Sequence, residues 1–225
     1  MTNDNILSED PDKIFKLLNE KLKENNETLE MICGGGFVLS HYGIRTTTDI
    51  DAFYNSNYNI QKAIFDTGTQ LNINKEDELW LNNSIQNLNR TPPDDICETK
   101  YEYSNLKIKF PPADYMILMK LSSGRQIDIS DCAELIKRQR IADPESIMSN
   151  SKKYNFREPD ESLVFEAFGE AYGLDWLAEY FQDKESAIFK ILDPKFDKEQ
   201  AERDNLLKDM QTDEPDPEPD KDYIP

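Results

Sequence analysis

Residues 31–54, MICGGGFVLSHYGIRTTTDIDAFY, limit what this chain can fold into more than any other segment. Thr28 to Cys33 is a short apolar run of β type that meets three consecutive glycines, Gly34, Gly35 and Gly36. Phe37 to Tyr42 is apolar at helical spacing and ends at Gly43, a natural residue just past a helix C-terminus. Arg45, Thr46, Thr47 and Thr48 lead into Asp49-Ile50-Asp51-Ala52, where acid and apolar positions alternate as in a strand. The segment therefore predicts strand, glycine turn, helix, strand, which an all-helical or all-β chain would not contain.

The chemistry of that segment lies in its spacing. Residues i and i+2 of a strand face the same side, so Asp49 and Asp51 would place two carboxylates about 7 Å apart on one face. Two oxygen donors at that separation suit Mg²⁺, which takes one or two carboxylates and completes its shell with water and substrate phosphates. Ile50 and Ala52 would turn to the opposite face and anchor the strand in the core. The glycine turn, separated from Asp49 by twelve residues, would aim backbone N–H groups at the phosphates that the cation neutralises.

The flanking sequence extends the pattern. Ile14, Phe15, Leu17, Leu18 and Leu22 share one face of a helix over about 11–24, with Pro11 near its first turn. Residues 57–89 read as mostly helical, with a second segment around Leu79 to Leu88. YEY and LKIKF within 100–110 read as strands across a Ser-Asn turn. Pro111 and Pro112 stop the second of these and start a helix through Lys120 and Leu121. Asp128 and Asp131 lie in the opening turns of the next. From Pro144 onward the pattern is helical: 144–153, 160–171, 174–184 and a weaker stretch at 197–209.

The residues 31–54 resemble the signature of the nucleotidyltransferase superfamily with the DNA polymerase β type fold. They resemble in particular small bacterial members of the kind found in toxin-antitoxin and abortive-infection systems. There a GG or GS turn, an apolar helix, an Arg, a Thr or Ser and then DxD follow in this order. Residues 111–135, PPADYMILMKLSSGRQIDISDCAEL, look similar to the same group. The resemblance implies an α+β fold: a small mixed sheet flanked by helices over 1–142, then a helical lobe over 143–210. It also implies a role for Asp49 and Asp51 as metal ligands, and for Gly34, Gly35, Gly36, Arg45 and Thr48 around the nucleotide. Lys120 would reach the phosphates, and Asp128 or Asp131 would complete the polar site. The expected activity is Mg²⁺-dependent transfer of a nucleoside monophosphate from a nucleoside triphosphate to an acceptor hydroxyl, on an RNA 3′ end, a protein or a small molecule. A toxin or antitoxin partner is expected with it. The alternative is a catalytically silent protein of the same fold that acts by binding such a partner. The chain departs from the pattern twice: Gly36 stands where many relatives have Ser, and no third carboxylate is evident on LKIKF, which leaves Glu102 of YEY.

Composition narrows the partners. With 26 Lys+Arg against 45 Asp+Glu the formal net charge is -19, and such a field repels polyanions. No extended nucleic-acid surface is expected, although a local basic pocket can hold a nucleotide. No run approaches the ~18 apolar residues of a spanning helix, and the acidic start MTNDNILSEDPDKIF lacks the basic and apolar regions of a signal peptide. A cytoplasmic protein without membrane contact is the expectation. Cys33, Cys97 and Cys132 are dispersed, and His41 is the sole histidine, so zinc and disulfide frameworks are not expected. Residues 211–225, QTDEPDPEPDKDYIP, carry six acids and one lysine and read as a disordered tail.

Overall fold

The computed structural model describes residues 10–75, 78–87, 90–122 and 125–192. The acidic tail and the helical pattern expected at 197–209 lie outside them. The chain divides after Gly173 into two compact units.

The first unit is α+β. Helix α1 (Pro11–Glu24) starts where the Asp10 carboxylate accepts from the Asp12 N–H and Pro11 fixes the first turn; Lys21 and Lys23 occupy the last turn. Ile14, Phe15, Leu18 and Leu22 are buried along one stripe. Each such side chain contributes about 1.5–3 kcal/mol relative to leaving it in water. Strand β1 (Leu29–Cys33) ends at the glycine turn, helix α2 (Gly35–His41) follows, and strand β2 (Ile50–Phe53) returns antiparallel to β1. Helix α3 (Tyr58–Leu71) is capped by Asn57, whose side chain accepts from the Ile60 N–H, and packs on α1.

The sheet is mixed, in the order β3-β2-β1-β5-β4. Strand β5 (Leu106–Phe110) lies parallel to β1, and β4 (Glu98–Glu102) pairs antiparallel with β5 at the edge. Strand β3 (Leu81–Asn82) is only two residues long and runs parallel to β2, with Asp51 opposite Asn82. The helix expected over Leu79 to Leu88 is therefore replaced by β3 and a 3-10 turn at Ser84–Asn87. Two bonds explain the change. The Trp80 indole N–H donates to the Ile64 carbonyl at 2.9 Å, and the Trp80 carbonyl accepts from the Ile50 N–H at 2.7 Å. Burying the indole with its donor satisfied draws the segment alongside β2, and tertiary burial outweighs helical spacing.

Helix α4 (Ala113–Leu121) is buried on all sides from Tyr115 to Leu121, including Lys120. Helix α5 (Gln126–Gln139) packs against it and against α7 (Glu161–Tyr172), while α6 (Pro144–Lys153) packs on α4. The boundary expected near residue 142 falls between α5 and α6, within the compact unit that runs to Gly173. The Asp114 carboxylate ties α6 down by accepting from the Tyr154 hydroxyl at 2.9 Å and the Asn150 amide at 3.0 Å. Gly173, at φ +95°, ends α7. The second unit is represented by helix α8 (Leu174–Leu192), on which the rings of Trp176 and Tyr180 stack 5.5 Å apart. No helix among the described residues is long and apolar enough to cross a membrane.

Candidate active site

Each glycine of the turn answers to a different neighbour. The Gly34 N–H donates to the Asp51 carbonyl at 2.8 Å, which extends the β1–β2 pairing into the turn. Gly35 sits at φ +55°, and a Cβ there would lie 2.6 Å from Asp51 Oδ2. Backbone conformation and close approach both exclude a side chain at that position. At Gly36 a Cβ would lie 2.7 Å from Thr47 Oγ1. The space a side chain at Gly36 would need is thus taken here by the hydroxyl of Thr47, reaching over from the loop before β2.

That hydroxyl also shapes the acid pair. Thr47 Oγ1 donates to the Asp49 carbonyl at 3.0 Å and lies 3.3 Å from Asp49 Oδ1. Side-chain bonds from Thr to backbone two residues on compete with strand geometry. Strand β2 accordingly begins at Ile50, and Asp49 stands in the bend before it instead of within the strand. Asp51 is half-buried on β2. Burial raises its pKa, the charge of Asp49 raises it further, and the Asn82 amide and Arg45 pull it back in part.

A raised carboxyl pKa has a definite sign in the stability. The folded chain holds a proton on Asp51 at pH values where the unfolded chain, titrating near about 3.9, has lost it. Stability therefore falls as pH rises through that window and stays reduced at neutral pH. Asp51→Asn is expected to raise the unfolding midpoint at neutral pH, and the gain should vanish under acid conditions below both values. Thermal denaturation of both proteins across pH checks this.

Facing the acids across the site is a buried charge cluster. Lys120 projects from α4, while Asp128 and Asp131, three residues apart on α5, present one face to it. The Lys120 ammonium lies 2.7 Å from Asp128 Oδ1 and 2.7 Å from Asp131 Oδ2. Relative exposures are 7% for Lys120, 1% for Asp128 and 4% for Asp131, so these charges depend on one another for solvation. Two arginines extend the cluster outward: Arg125 Nε reaches Asp128 Oδ2 at 2.6 Å, and Arg45 Nε reaches Asp131 Oδ2 at 3.3 Å. The bonds to Asp128 raise the Arg125 pKa.

A cavity of about 470 Å³ lies between Asp51 and this cluster, and Asp49 does not line it. Gly35 and Asp51 line one side, Lys120, Arg125 and Asp128 another, and Ile85, Met116 and Met119 form an apolar wall. The volume is that of a small-molecule site, and the mixture of an apolar wall with convergent charges is the usual composition of one. Of the residues named from sequence, Gly35, Asp51, Lys120 and Asp128 share this cavity, and Arg45 and Asp131 join it through the ion pairs. Thr48 is turned to Lys75, whose ammonium donates to its hydroxyl at 2.8 Å. Glu102 pairs with Lys107 at 2.9 Å on the sheet edge, and the His41 ring packs edge-on against Phe110.

Among the described residues no group of three or more His, Cys, Asp or Glu stands together in a way that would hold a metal alone. Two carboxylates do fit Mg²⁺ that draws the rest of its shell from phosphates and water. Asp51 in particular is a carboxylate whose ionised form burial and Asp49 both disfavour, and a cation beside it would relieve both effects. Sequence reasoning missed Thr47, Asn82, Ile85 and the cavity-facing Met116 and Met119. Thr47 was signalled by its place two residues before an acid; the methionines were indistinguishable from core.

A small mixed sheet with a glycine turn packed against an acid of the adjacent strand is the core of a nucleotidyltransferase fold. Residues 12–168, from α1 into α7, match the family described as "Nucleotidyltransferase of unknown function (DUF6036)", and the chain belongs to that family. No curated protein and no solved structure matches the chain.

Proposed function

We propose that the protein is a Mg²⁺-dependent nucleotidyltransferase that moves a nucleoside monophosphate from a nucleoside triphosphate onto an acceptor hydroxyl. The observation that carries this reading is the meeting of Asp51, Gly35, Lys120 and Arg125 around one cavity. Asp51, an acid that favours a bound cation, stands on one side and positive charge suited to phosphate on the other. Asp49 and Asp51 would hold Mg²⁺, which would supply charge neutralisation of the triphosphate and acidify the acceptor hydroxyl.

In the reaction the acceptor hydroxyl gives up its proton to water, its oxygen bonds to the α-phosphorus, the bond from that phosphorus to the bridging oxygen of pyrophosphate breaks, and pyrophosphate leaves with the electron pair of that bond. Arg45 and Arg125, on the outer ends of the charge cluster, face the developing negative charge. Lys120 adds positive potential from beneath while Asp128 and Asp131 hold it in place. Both oxygens of Asp128 are engaged, one by Lys120 and one by Arg125, so its role is electrostatic and not that of a proton acceptor. Gly35, lacking a side chain, lets the Asp51 carboxylate lie against the turn and presents its backbone to the cavity. The apolar wall of Ile85, Met116 and Met119 accommodates the base or the acceptor. An RNA end, a protein or a small molecule as acceptor, and a toxin-antitoxin setting in the cytoplasm, belong to the same proposal and rest on the resemblance of residues 31–54 and 111–135.

Calorimetric titration of each nucleoside triphosphate, with Mg²⁺ and with chelator, tests the reading. Wild-type protein is expected to bind at least one triphosphate only with Mg²⁺. The Asp49→Asn/Asp51→Asn variant is expected to bind it at least about tenfold more weakly, a loss of about 1.4 kcal/mol, with an unchanged circular dichroism spectrum. Equal binding with and without the ion would sink the metal assignment. Tight Mg²⁺-dependent binding with no label transferred to any acceptor in cell extract would favour the silent binding protein.

A further inference from the structure

The strand position opposite Asp51 is held by Asn82, and the orientation of its amide is fixed by its neighbours. Asn82 Oδ1 accepts from the Ser84 backbone N–H at 3.1 Å and also from the Ser84 hydroxyl. A backbone N–H can only donate, so the oxygen must face Ser84 and the NH₂ must point the other way. That NH₂ is sealed from solvent and closes no hydrogen bond, and the register of β2 with β3 sets its side chain beside that of Asp51. An amide NH₂ carries its positive end outward and offers no lone pair, so it cannot ligate a cation and repels one placed beside it.

We propose that Asn82 is a positioning residue that restricts this site to one divalent cation. The inference rests on the metal reading of Asp49 and Asp51 given above. Those two carboxylates carry two negative charges, which one divalent ion balances. A second ion about 3.5–4 Å from the first would need a further anionic donor on the Asp51 side. The strand register gives that place to a neutral group whose donor end faces inward. Asn82 also orients Asp51: with the amide on one flank and Gly35 close to Oδ2 on the other, the carboxylate is held between fixed neighbours. Asn82→Asp would keep an acceptor for both Ser84 donors and turn its second oxygen toward Asp51, which supplies the missing anionic donor without a change of size.

Mn²⁺ titrated into the full-length chain with α,β-methylene-ATP, read by electron paramagnetic resonance, tests the proposal. Expected is one Mn²⁺ at the site in wild type, without spin coupling, and a coupled Mn²⁺ pair in Asn82→Asp. Asn82→Ala is expected to keep one ion with affinity about tenfold lower, the usual effect of losing a group that orients a ligand. Spin coupling resolves adjacent ions from ions scattered over an acidic surface. A coupled pair in wild type, or a single ion in folded Asn82→Asp, overturns the inference. Should Asn82→Asp not fold, the wild-type spectrum and Asn82→Ala decide it alone: unchanged affinity in the latter also overturns it. Mn²⁺ binding that is identical in wild type and Asp51→Asn instead removes the metal reading itself, together with this inference.

Discussion

Lys120→Met is expected to cost about 3–5 kcal/mol of folding stability, the usual result of removing one partner from a buried ion cluster. Methionine fills nearly the same volume, so the loss is not one of packing. It arises because Asp128 and Asp131, almost wholly buried, lose the ammonium that lies 2.7 Å from each. Arg125 and Arg45 remain on the outer oxygens, but Arg125 is largely exposed and cannot replace the central charge. At roughly 2–4 °C per kcal/mol for a chain of this size, the melting temperature should fall by about 6–20 °C. Adding Asp128→Asn and Asp131→Asn to Lys120→Met should recover much of the loss, since the destabilising charge is then gone. Denaturant unfolding of the single and triple variants gives the comparison. A single-variant loss under about 1 kcal/mol would mean that water or the arginines solvate the pair, and that the cluster is not closed.

The second large effect is expected at Gly35. Alanine there is strained at φ +55° by about 1–2 kcal/mol, and its Cβ would stand 2.6 Å from Asp51 Oδ2, so either the turn or the carboxylate must move. Both positions belong to the proposed ion site, so Mg²⁺-dependent triphosphate binding should fall by more than tenfold alongside the loss of stability. Its neighbours provide the control. Gly36→Ala meets the Thr47 hydroxyl and Cβ with an ordinary backbone conformation, while Gly34→Ala meets only the flexible tip of Ile85. Binding should therefore fall in the order Gly35, Gly36, Gly34. Calorimetry on the three alanine variants checks the order, and equal losses at all three would show that the turn acts merely as a connection.

Much of the fold is legible because local signals and burial agree. The stripe of Ile14, Phe15, Leu18 and Leu22 with Pro11 at its head predicts α1 over the residues it occupies, and LKIKF after a Ser-Asn turn predicts β5. Where a segment is organised by a single distant bond, the pattern misleads. Leu79, Trp80 and Leu81 suggest a helix, but the Trp80 indole fixes them beside β2, and a strand of two residues has no periodicity to read. That is why Asn82 and Ile85 were invisible. At Lys120 the sequence carries a second signal. A lone lysine in ADYMILMKL resembles a phosphate ligand in motif terms, yet a helix apolar on every side is a buried helix, and a lysine in one requires acids nearby. Asp128 and Asp131 supply them across the turn between α4 and α5. The place of Asp51 on its strand was readable from the alternation, whereas Thr47 shifts the strand start past Asp49.

The ends of the sheet carry a consequence for how the protein meets other chains. At one end β3 offers only two residues, and at the other β4 is ETKYE, with Glu98 paired to Lys100 at 2.7 Å and Glu102 to Lys107 at 2.9 Å. A stub and a charged, internally neutralised rim are poor templates for an incoming strand. The two edges of this sheet thereby disfavour edge-to-edge pairing with another copy, which leaves the central strands, and Asp51 on β2, undisturbed.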